Sequence, residues 1–495
     1  MRELYIDGHW SDATTTTGGR AVLNPYDGST ITTVAEAGPD DVDAAVAAAR
    51  RAFDTGEWPS TSNRDRAAVL RRVADLLVRD RELLARDESV DTGKTLAEGR
   101  IDVDDVTGVF RYYASLVETD SGRAVDTGDP NVVSRVVHEP VGVCSLIAPW
   151  NYPLLQMCWK LAPALGAGNT TVVKPSELTP LSTVRLVALL AEAGVPAGVV
   201  NLVLGAGSVV GAEMVRHPGV DLVSFTGGLA TGRRIMAMAA EGVKKVALEL
   251  GGKNPNVVFA DADFDTAVDY ALAAGFFHSG QVCSAGARLL VQDEVYEEFV
   301  AEFARRAELI RLGNGLRDET ECGPLVSAEH RAKVERYIER TIAEGARLVT
   351  GGTRPDEPEL ADGYFLRPTV FADCTAEMTA VREEVFGPVV TVERFTDEAE
   401  AVALANDTDY GLAGAVWTGD ASRAQRVAGA LRHGTVWIND FHPYVPQAEW
   451  GGFGNSGVGR ELGPSGLDEY REAKHIYQNI NPAPMRWFSG ARKEA

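Results

Sequence analysis

Short β-branched runs alternate with helical stretches from residue 141 to residue 250, and this alternation restricts the fold more than any other feature. Strands are predicted at 141–148, 170–174, 199–204, 221–225 and 245–250, separated by helices at 154–165, 182–193, 207–215 and 230–240. Strands joined by helices of this length form a parallel sheet that is covered on both faces. Such a sheet binds ligands at the carboxyl ends of its strands.

A second alternating block follows residue 252, with elements predicted at 256–259, 264–277, 287–291, 296–310, 389–395 and 436–439. Helices are predicted before the first block at 40–53, 64–87 and 96–117. Because 495 residues exceed what one core holds, we predict an α/β protein with two doubly wound parallel-sheet domains. Residues 1–120 and 140–251 form a Rossmann-like cofactor domain, and residues 252–462 form a catalytic domain. Residues 121–139 and 463–495 form a small β oligomerisation segment, with 468–480 pairing with a partner subunit.

Composition excludes several classes of protein. The formal net charge of −23 repels phosphate backbones, so no nucleic acid partner is expected. No apolar run reaches the roughly 20 residues that span a bilayer, and residues 1–10 contain charges instead of the apolar core of a signal peptide. The five cysteines are scattered, without a disulfide framework or zinc spacing, so no metal site is predicted. A cytoplasmic location is expected.

Cys283 is the candidate nucleophile. It lies in Gly280-Gln281-Val282-Cys283-Ser284-Ala285-Gly286, where small neighbours leave the approach to the sulfur open. Thiolates are strong nucleophiles toward a carbonyl carbon. The residues alone fit a buried structural cysteine equally well.

Two further side chains suit catalysis of carbonyl chemistry. Glu249 ends an apolar strand before two glycines, where burial would raise its pKa toward that of a general base for water. Asn151, in Pro149-Trp150-Asn151-Tyr152-Pro153, could donate to an oxyanion together with the Cys283 backbone N–H. The alternatives are a turn carboxylate for Glu249 and a helix cap for Asn151.

Two other strand ends suit a dinucleotide. Lys174 and Glu177 follow the strand at 170–174, where lysine suits phosphate or ribose oxygens and glutamate suits a ribose diol. Gly227 and Gly228 connect a strand to a helix, where backbone N–H groups could bind a pyrophosphate. Ordinary loop charges and a simple connecting turn are the alternatives.

Taken in order, these motifs resemble the aldehyde dehydrogenase family over essentially the whole chain. The matching segments are 149–153, 174–177, 225–232, 249–253, 280–283, 384–388 and 457–462. The resemblance implies NAD as cofactor, an aldehyde as substrate and a homodimer or homotetramer. It implies that Cys283 forms a thiohemiacetal and then a thioester, with Asn151 binding the oxyanion and Glu249 activating water.

The resemblance also implies roles for residues that local patterns do not single out. Trp150, Glu384 and Phe386 would contact the cofactor, and Glu461 would be a second acidic residue near the active site. One position departs from the family, which commonly has Ser where this chain has Gly228. A hydroxyl contact to the pyrophosphate is lost there, while the backbone amides remain.

Aromatic residues indicate the substrate. Tyr152 and Trp159 share one helix face, and Phe277 and Trp450 flank other motifs, so the four could form an aromatic box for a quaternary ammonium group. Helix core packing is the alternative for Tyr152 and Trp159. These residues resemble the substrate entrance of betaine-aldehyde and aminoaldehyde members of the family, which implies betaine aldehyde as substrate.

Other functions remain open at this stage. Asp102 and Asp105 resemble acidic residues of the aminoaldehyde group, so an ω-aminoaldehyde such as 4-aminobutyraldehyde is the second candidate substrate. A thiol hydrolase would need a histidine to activate the thiol, and the cofactor motifs would be unexplained. A silent structural protein would be expected to lack Cys283 or Glu249.

Overall fold

The structure is a computed structural model that describes residues 3–15 and 18–488. Residues 1–2, 16–17 and 489–495 lie outside the described residues. The predicted segments 1–120 and 463–495 include these residues. The strands are β1 (Leu4–Ile6), β2 (His9–Ser11), β3 (Arg20–Leu23), β4 (Thr30–Val34), β5 (Arg123–Ala124), β6 (Val132–Pro140), β7 (Val143–Ile147), β8 (Thr170–Lys174), β9 (Val200–Leu202), β10 (Leu222–Thr226), β11 (Lys245–Glu249), β12 (Pro255–Val258), β13 (Arg288–Gln292), β14 (Arg347–Thr350), β15 (Thr369–Ala372), β16 (Val389–Phe395), β17 (Ala413–Trp417), β18 (Thr435–Ile438), β19 (Gly457–Val458) and β20 (Arg471–Asn479).

The helices lie between these strands. They are α1 (Pro39–Asp54), α2 (Asn63–Arg79), α3 (Arg81–Thr92), α4 (Leu96–Thr119), α5 (Pro153–Ala167), α6 (Leu181–Glu192), α7 (Ala212–Arg216), α8 (Leu229–Ala240), α9 (Phe264–Phe276), α10 (Tyr296–Glu308), α11 (Ala328–Ala343), α12 (Thr379–Arg382), α13 (Glu398–Asn406), α14 (Ala421–Ala430) and α15 (Gly463–Asp468). A π-turn at Gly207–Gly211 precedes α7, and 3₁₀ turns occupy Trp58–Ser60, Phe277–Gly280, Asp293–Val295, Pro358–Leu360 and Gly454–Ser456.

The first large sheet has the strand order β19-β11-β10-β7-β8-β9-β1-β2. Its central strands β11, β10, β7, β8 and β9 are parallel, and β7, β8 and β10 are buried over their full length. From β7 the chain adds β8 and β9 on one side of the sheet, and it then returns to add β10 and β11 on the other side. A crevice therefore forms at the carboxyl ends of β7 and β10, where this kind of sheet binds ligands.

The second large sheet has the order β14-β15-β16-β13-β12-β17-β18. Its strands are parallel except β14, which pairs antiparallel with β15. The order again reverses, here between β12 and β17. The prediction of two doubly wound parallel sheets is confirmed. The predicted domain boundaries stay a prediction, although β19 joins the first sheet from within 252–462.

A third sheet joins β20, β6 and β5. One edge of β20 pairs antiparallel with β6 of the same chain along its whole length. The sequence gives no local signal for this because the two strands lie more than 300 residues apart. The pairing of residues 468–480 with a partner subunit stays a prediction. The outer edge of β20 is unpaired within the described residues.

The helix predicted at 64–87 is wrong, because the chain forms two helices there. Asp80 leaves the helical conformation (φ −100°, ψ 18°), ending α2 and beginning α3, and both helices pack on α4. A capping box at Thr95 and Glu98 begins α4, and Glu98 is buried. Within the residues that the structure describes, no helix combines the length and the apolar character needed to cross a membrane.

Candidate active site

A cleft opens at the carboxyl ends of β7, β10 and β11, facing the segment that contains Cys283. Eight of the predicted site residues line it, namely Trp150, Asn151, Tyr152, Gly227, Gly228, Cys283, Glu384 and Phe386. The cleft therefore lies where the strand order of the first sheet reverses, and residues of the second sheet's half of the chain close its other side. Residues as far apart in sequence as Pro149 and Phe386 meet here, because loops before strands of the second sheet face the strand ends of the first.

Cys283 is half-buried, and its thiol is a free cysteine. Burial, together with the nearby carboxylates of Glu249 and Glu384, raises the pKa of this thiol to about 12. Asn254 fixes the backbone around it, since its amide nitrogen donates to the carbonyls of Cys283 (2.9 Å) and Ala285 (3.0 Å). The protein alone thus holds a protonated thiol at neutral pH, in a rigid loop.

Asn151 follows β7 and is buried. Its side-chain nitrogen donates to the backbone carbonyl of Gln281 at 2.8 Å. This bond uses one of the two amide hydrogens and orients the other. Asn151 is therefore bonded to the loop of the candidate nucleophile Cys283, where an oxyanion donor would be needed.

Glu249 ends β11 and is buried. Burial and the neighbouring carboxylate of Glu461 raise its pKa well above the ordinary value. One carboxylate oxygen has no hydrogen-bond partner in the described part of the chain. A Cβ at Gly451 would lie 2.7 Å from that oxygen, so this glycine leaves the carboxylate room. A buried carboxyl with a raised pKa and a free oxygen can accept a proton from water.

Glu461 belongs to a buried network that the sequence did not reveal. The Lys160 ammonium forms an ion pair with Glu461 and donates to the Thr226 hydroxyl at 2.6 Å. That hydroxyl donates to the Gln156 side chain at 3.0 Å. Because Gln156 and Thr226 line the cleft, the network connects the cleft wall to Glu461. The one signal was a lysine in the otherwise apolar helix α5.

Lys174 and Glu177 lie at the end of β8, outside the lining of the cleft near Cys283. The Lys174 ammonium donates to the Pro175 carbonyl (2.8 Å) and contacts Glu177 (3.5 Å), and the Gly207 N–H donates to Glu177 (3.2 Å). Burial opposes ionisation of Glu177, but Lys174 and the Gly207 amide outweigh it and lower its pKa. An ionised carboxylate beside an ammonium suits a ribose diol.

Glu384 and Phe386 lie opposite Trp150 in the cleft. The Glu384 carboxylate accepts the Gly252 N–H (3.2 Å), and burial raises its pKa to about 7. The rings of Trp150 and Phe386 meet edge to face at 5.2 Å. His330, which bonds the Phe386 carbonyl at 2.7 Å, and Lys333 also line the cleft, and the sequence analysis missed both. Both lie on α11, which lacks a local motif.

The four aromatic residues predicted to bind the substrate belong to three separate ring pairs. Trp159 and Trp450 meet at 5.8 Å, Tyr152 meets His278 at 5.6 Å, and Phe277 meets His442 at 5.8 Å. Tyr444 completes the first contact, with ring distances of 5.0 Å to Trp159 and 6.1 Å to Trp450. Tyr444 was not predicted from the sequence.

Both acidic residues near these rings already have partners. Asp102 pairs with the buried Lys94 ammonium, which also lies 4.2 Å from the Tyr152 ring centroid. Asp105 accepts the Tyr444 hydroxyl at 2.6 Å. Neither carboxylate is free to receive an additional cation without giving up a contact.

Gly228 is the N-cap of α8 and makes no side-chain cap. A Cβ added there would meet nothing within 4 Å, so the position opens into the cleft. Free N–H groups at the start of this twelve-residue helix, with no acidic side chain in its first turn, suit a pyrophosphate.

Gly228→Ser is expected to tighten the binding of NAD without disturbing the fold. An added hydroxyl can donate to a phosphate oxygen, and such a bond lowers the KM for NAD about three- to tenfold. Gly228→Ala is the matched control, because it adds the Cβ without the hydroxyl. Steady-state kinetics at varied NAD measures both, and an equal KM in the two variants would contradict the prediction.

The chain was compared with known proteins. A family model described as the aldehyde dehydrogenase family matches residues 10–476. The betaine aldehyde dehydrogenase of Bacillus subtilis is 57% identical over 486 residues, covering 98% of this chain and 99% of that protein. Aminoaldehyde dehydrogenase 2 of Pisum sativum is 42% identical, covering 99% of this chain and 98% of that protein.

Solved structures give the same relationship. The crystal structure of a betaine aldehyde dehydrogenase from Staphylococcus aureus in complex with NAD⁺ superposes with a TM-score of 0.97 at 53% identity. The alignment covers 99% of this chain and 97% of that one. At this identity the likeness concerns the sequence as well as the fold.

Proposed function

The chain belongs to the aldehyde dehydrogenase family, and from this premise we propose that it oxidises betaine aldehyde to glycine betaine with NAD. The observation that supports this most is the contact of Trp159, Tyr444 and Trp450, because aromatic faces bind a quaternary ammonium group. Two relatives at more than 50% identity, from Bacillus subtilis and Staphylococcus aureus, are betaine aldehyde dehydrogenases.

Cys283 performs the covalent chemistry in this proposal. The thiol first loses its proton to solvent water, and the thiolate sulfur then attacks the aldehyde carbon. Asn151 and the Cys283 backbone N–H hold the resulting oxyanion. When bound, NAD accepts the hydride from this carbon, which leaves a thioester on Cys283. Glu249 then takes a proton from water, and the hydroxide cleaves the thioester to release the carboxylate and the thiol.

Seven residues would hold the cofactor. Lys174 and Glu177 bind the adenosine ribose, Gly227 and Gly228 offer the start of α8 to the pyrophosphate, and Trp150, Glu384 and Phe386 enclose the nicotinamide end. The open space at Gly228 leaves room for the pyrophosphate. The ionised Glu177 suits NAD over NADP, because its carboxylate would repel a 2′-phosphate on the adenosine ribose.

Because the carboxylates of Asp102 and Asp105 already have partners, the site favours a quaternary ammonium group over a primary amine. An aminoaldehyde needs hydrogen-bond acceptors for its N–H groups, whereas betaine aldehyde has none to satisfy. Asp102 is occupied by Lys94, and Asp105 by the Tyr444 hydroxyl. An ω-aminoaldehyde dehydrogenase remains the second candidate, because Tyr444 could release Asp105.

The substrate assignment predicts a change of preference on replacing Trp450. Wild-type enzyme is expected to have a higher kcat/KM for betaine aldehyde than for 4-aminobutyraldehyde. Trp450→Leu removes a buried cation–π contact worth about 2 kcal/mol, so this ratio should fall roughly 30-fold. The measurement is NADH absorbance with each aldehyde.

Trp58→Leu is the control for this experiment, because Trp58 is also a buried tryptophan but lies in the turn Trp58–Ser60 and belongs to none of the ring contacts among Trp159, Tyr444 and Trp450. Its ratio of the two kcat/KM values should not change. A wild-type preference for 4-aminobutyraldehyde would reject betaine aldehyde as the substrate while leaving the reaction type intact.

The assembly is proposed to be a homodimer or homotetramer in the cytoplasm. The free edge of β20 and the exposed apolar side chains of Val133, Tyr477 and Ile480 support an interface formed by the third sheet. The cysteines of the described chain are free thiols, which suits a reducing compartment.

A further inference from the structure

The backbone that leads to Cys283 has an unusual conformation. Three consecutive residues have positive φ, namely His278 (48°), Ser279 (56°) and Gly280 (70°). Residues with a Cβ rarely adopt this left-handed region, and two in succession persist only where the surroundings hold them. The nucleophile therefore follows a strained turn that some other part of the protein must stabilise.

The Gln281 side chain bridges this turn to another segment. It is fully buried, and its nitrogen donates to the carbonyls of His278 (3.1 Å) and Pro324 (3.4 Å). Its oxygen accepts the N–H of Val326 at 2.9 Å. One amide thus ties the first residue of the left-handed turn to residues 324–326.

The backbone of Gln281 makes a second connection. Its carbonyl accepts the Asn151 side-chain nitrogen at 2.8 Å. Asn151 comes from the end of β7, in the first sheet, whereas Cys283 belongs to the loop after α9. Gln281 is therefore where the oxyanion donor and the nucleophile loop are joined.

Other contacts hold only the start of the turn. The Glu98 carboxylate accepts the His278 N–H (2.8 Å), and the Ser279 hydroxyl donates to the Gly323 carbonyl (2.5 Å). The His278 ring also hydrogen-bonds the Asn151 backbone. Gln281 differs from these residues because it bonds the turn, the 324–326 segment and the side-chain amide of Asn151 together.

We propose that Gln281 is a positioning residue, which fixes the distance between the Cys283 sulfur and the Asn151 amide. This inference rests on the proposed function for the identity of the reaction. Gln281 touches neither the substrate nor the cofactor. It acts by keeping the left-handed turn in one position relative to β7.

Gln281→Met tests the side chain as a whole. Methionine keeps the length and the apolar stem but removes the hydrogen bonds to residues 278, 324 and 326. A displacement of about 1 Å in the reacting groups lowers kcat about 100-fold. The KM for NAD should stay within about twofold, because Lys174 and Glu177 lie at another strand end.

Gln281→Glu should rescue activity in a pH-dependent way. The neutral carboxylic acid can donate its O–H to the His278 carbonyl and still accept the Val326 N–H. Once ionised, the carboxylate has no hydrogen to donate to the His278 carbonyl. Activity close to wild type is expected at low pH, with a loss at higher pH that neither wild type nor Gln281→Met shows.

Asn201 provides a matched control for loss of a buried amide. Its nitrogen donates to the carbonyls of Thr171 (3.2 Å) and Gly198 (2.7 Å), and its oxygen accepts the Asp7 N–H (3.0 Å). It lies in β9, so Asn201→Leu should lower Tm comparably to Gln281→Met while kcat changes less than about twofold.

Alkylation of Cys283 by iodoacetamide gives a readout that needs no aldehyde. Loosening the turn should expose the half-buried thiol, so Gln281→Met should be alkylated at least about fivefold faster while its turnover falls. Equal turnover losses in Gln281→Met and Asn201→Leu would overturn the inference, as would a Gln281→Glu profile that matches Gln281→Met at every pH. If wild-type enzyme oxidises no aldehyde, the proposed function fails, and the alkylation comparison still decides the role of Gln281.

Discussion

Replacing Cys283 with alanine is expected to reduce aldehyde oxidation by about 10⁴-fold or more, because no other group can form the thioester. The other four cysteines are buried, so none of them can substitute. NAD should still bind, since the residues proposed for the cofactor do not depend on the sulfur. NADH absorbance measures the turnover, and isothermal calorimetry measures the binding of NAD.

The pH dependence of thiol reactivity gives this prediction a second test. Because burial raises the pKa of Cys283 to about 12, the fraction of thiolate is small at neutral pH. In wild-type protein without NAD, alkylation should rise about tenfold per pH unit across the accessible alkaline range. Cys283→Ala should show only background labelling. A plateau near neutral pH, or full turnover by Cys283→Ala, would contradict the assignment.

The sheets could be predicted from the sequence because their strands are buried on both faces. β7, β8 and β10 are short runs rich in β-branched and apolar residues, each next to a recognisable helix, so the alternation of the two patterns indicates them directly. The short strands β1 and β2 have three residues each, and β2 is exposed. Three residues are too few to show a strand pattern, and only their pairing partners identify these strands.

The candidate site was partly predictable for the same reason. Residues that directly follow strands, such as Asn151 and Gly227, must meet at one sheet edge once the strands are parallel. Contacts between distant helices have no such rule. The pairing of Lys160 with Glu461, and of Trp159 with Tyr444, depends on side-chain packing between segments about 300 residues apart. The break at Asp80 also depends on packing, since both α2 and α3 follow the surface of α4.

Replacing Glu249 with glutamine is expected to block the hydrolysis of the thioester while leaving its formation intact. Removing a general base lowers the rate of its step about 10²- to 10⁴-fold. Hydride transfer should still occur, so a stopped-flow trace should show a burst of about one NADH per active site, followed by very slow turnover. A variant that loses the burst as well would show that Glu249 is needed to form the thiolate.

The pH dependence separates these two roles of Glu249. Burial and Glu461 raise the pKa of Glu249, so its basic form increases with pH, and wild-type hydrolysis should rise through that pKa. Glu249→Gln should be flat over the same range. Glu461→Gln is the informative control, because it removes a negative charge and leaves Lys160 unpaired, and both changes lower the pKa of Glu249. The rise in hydrolysis should then move to lower pH, whereas loss of the rise would mean that Glu461 supplies the base.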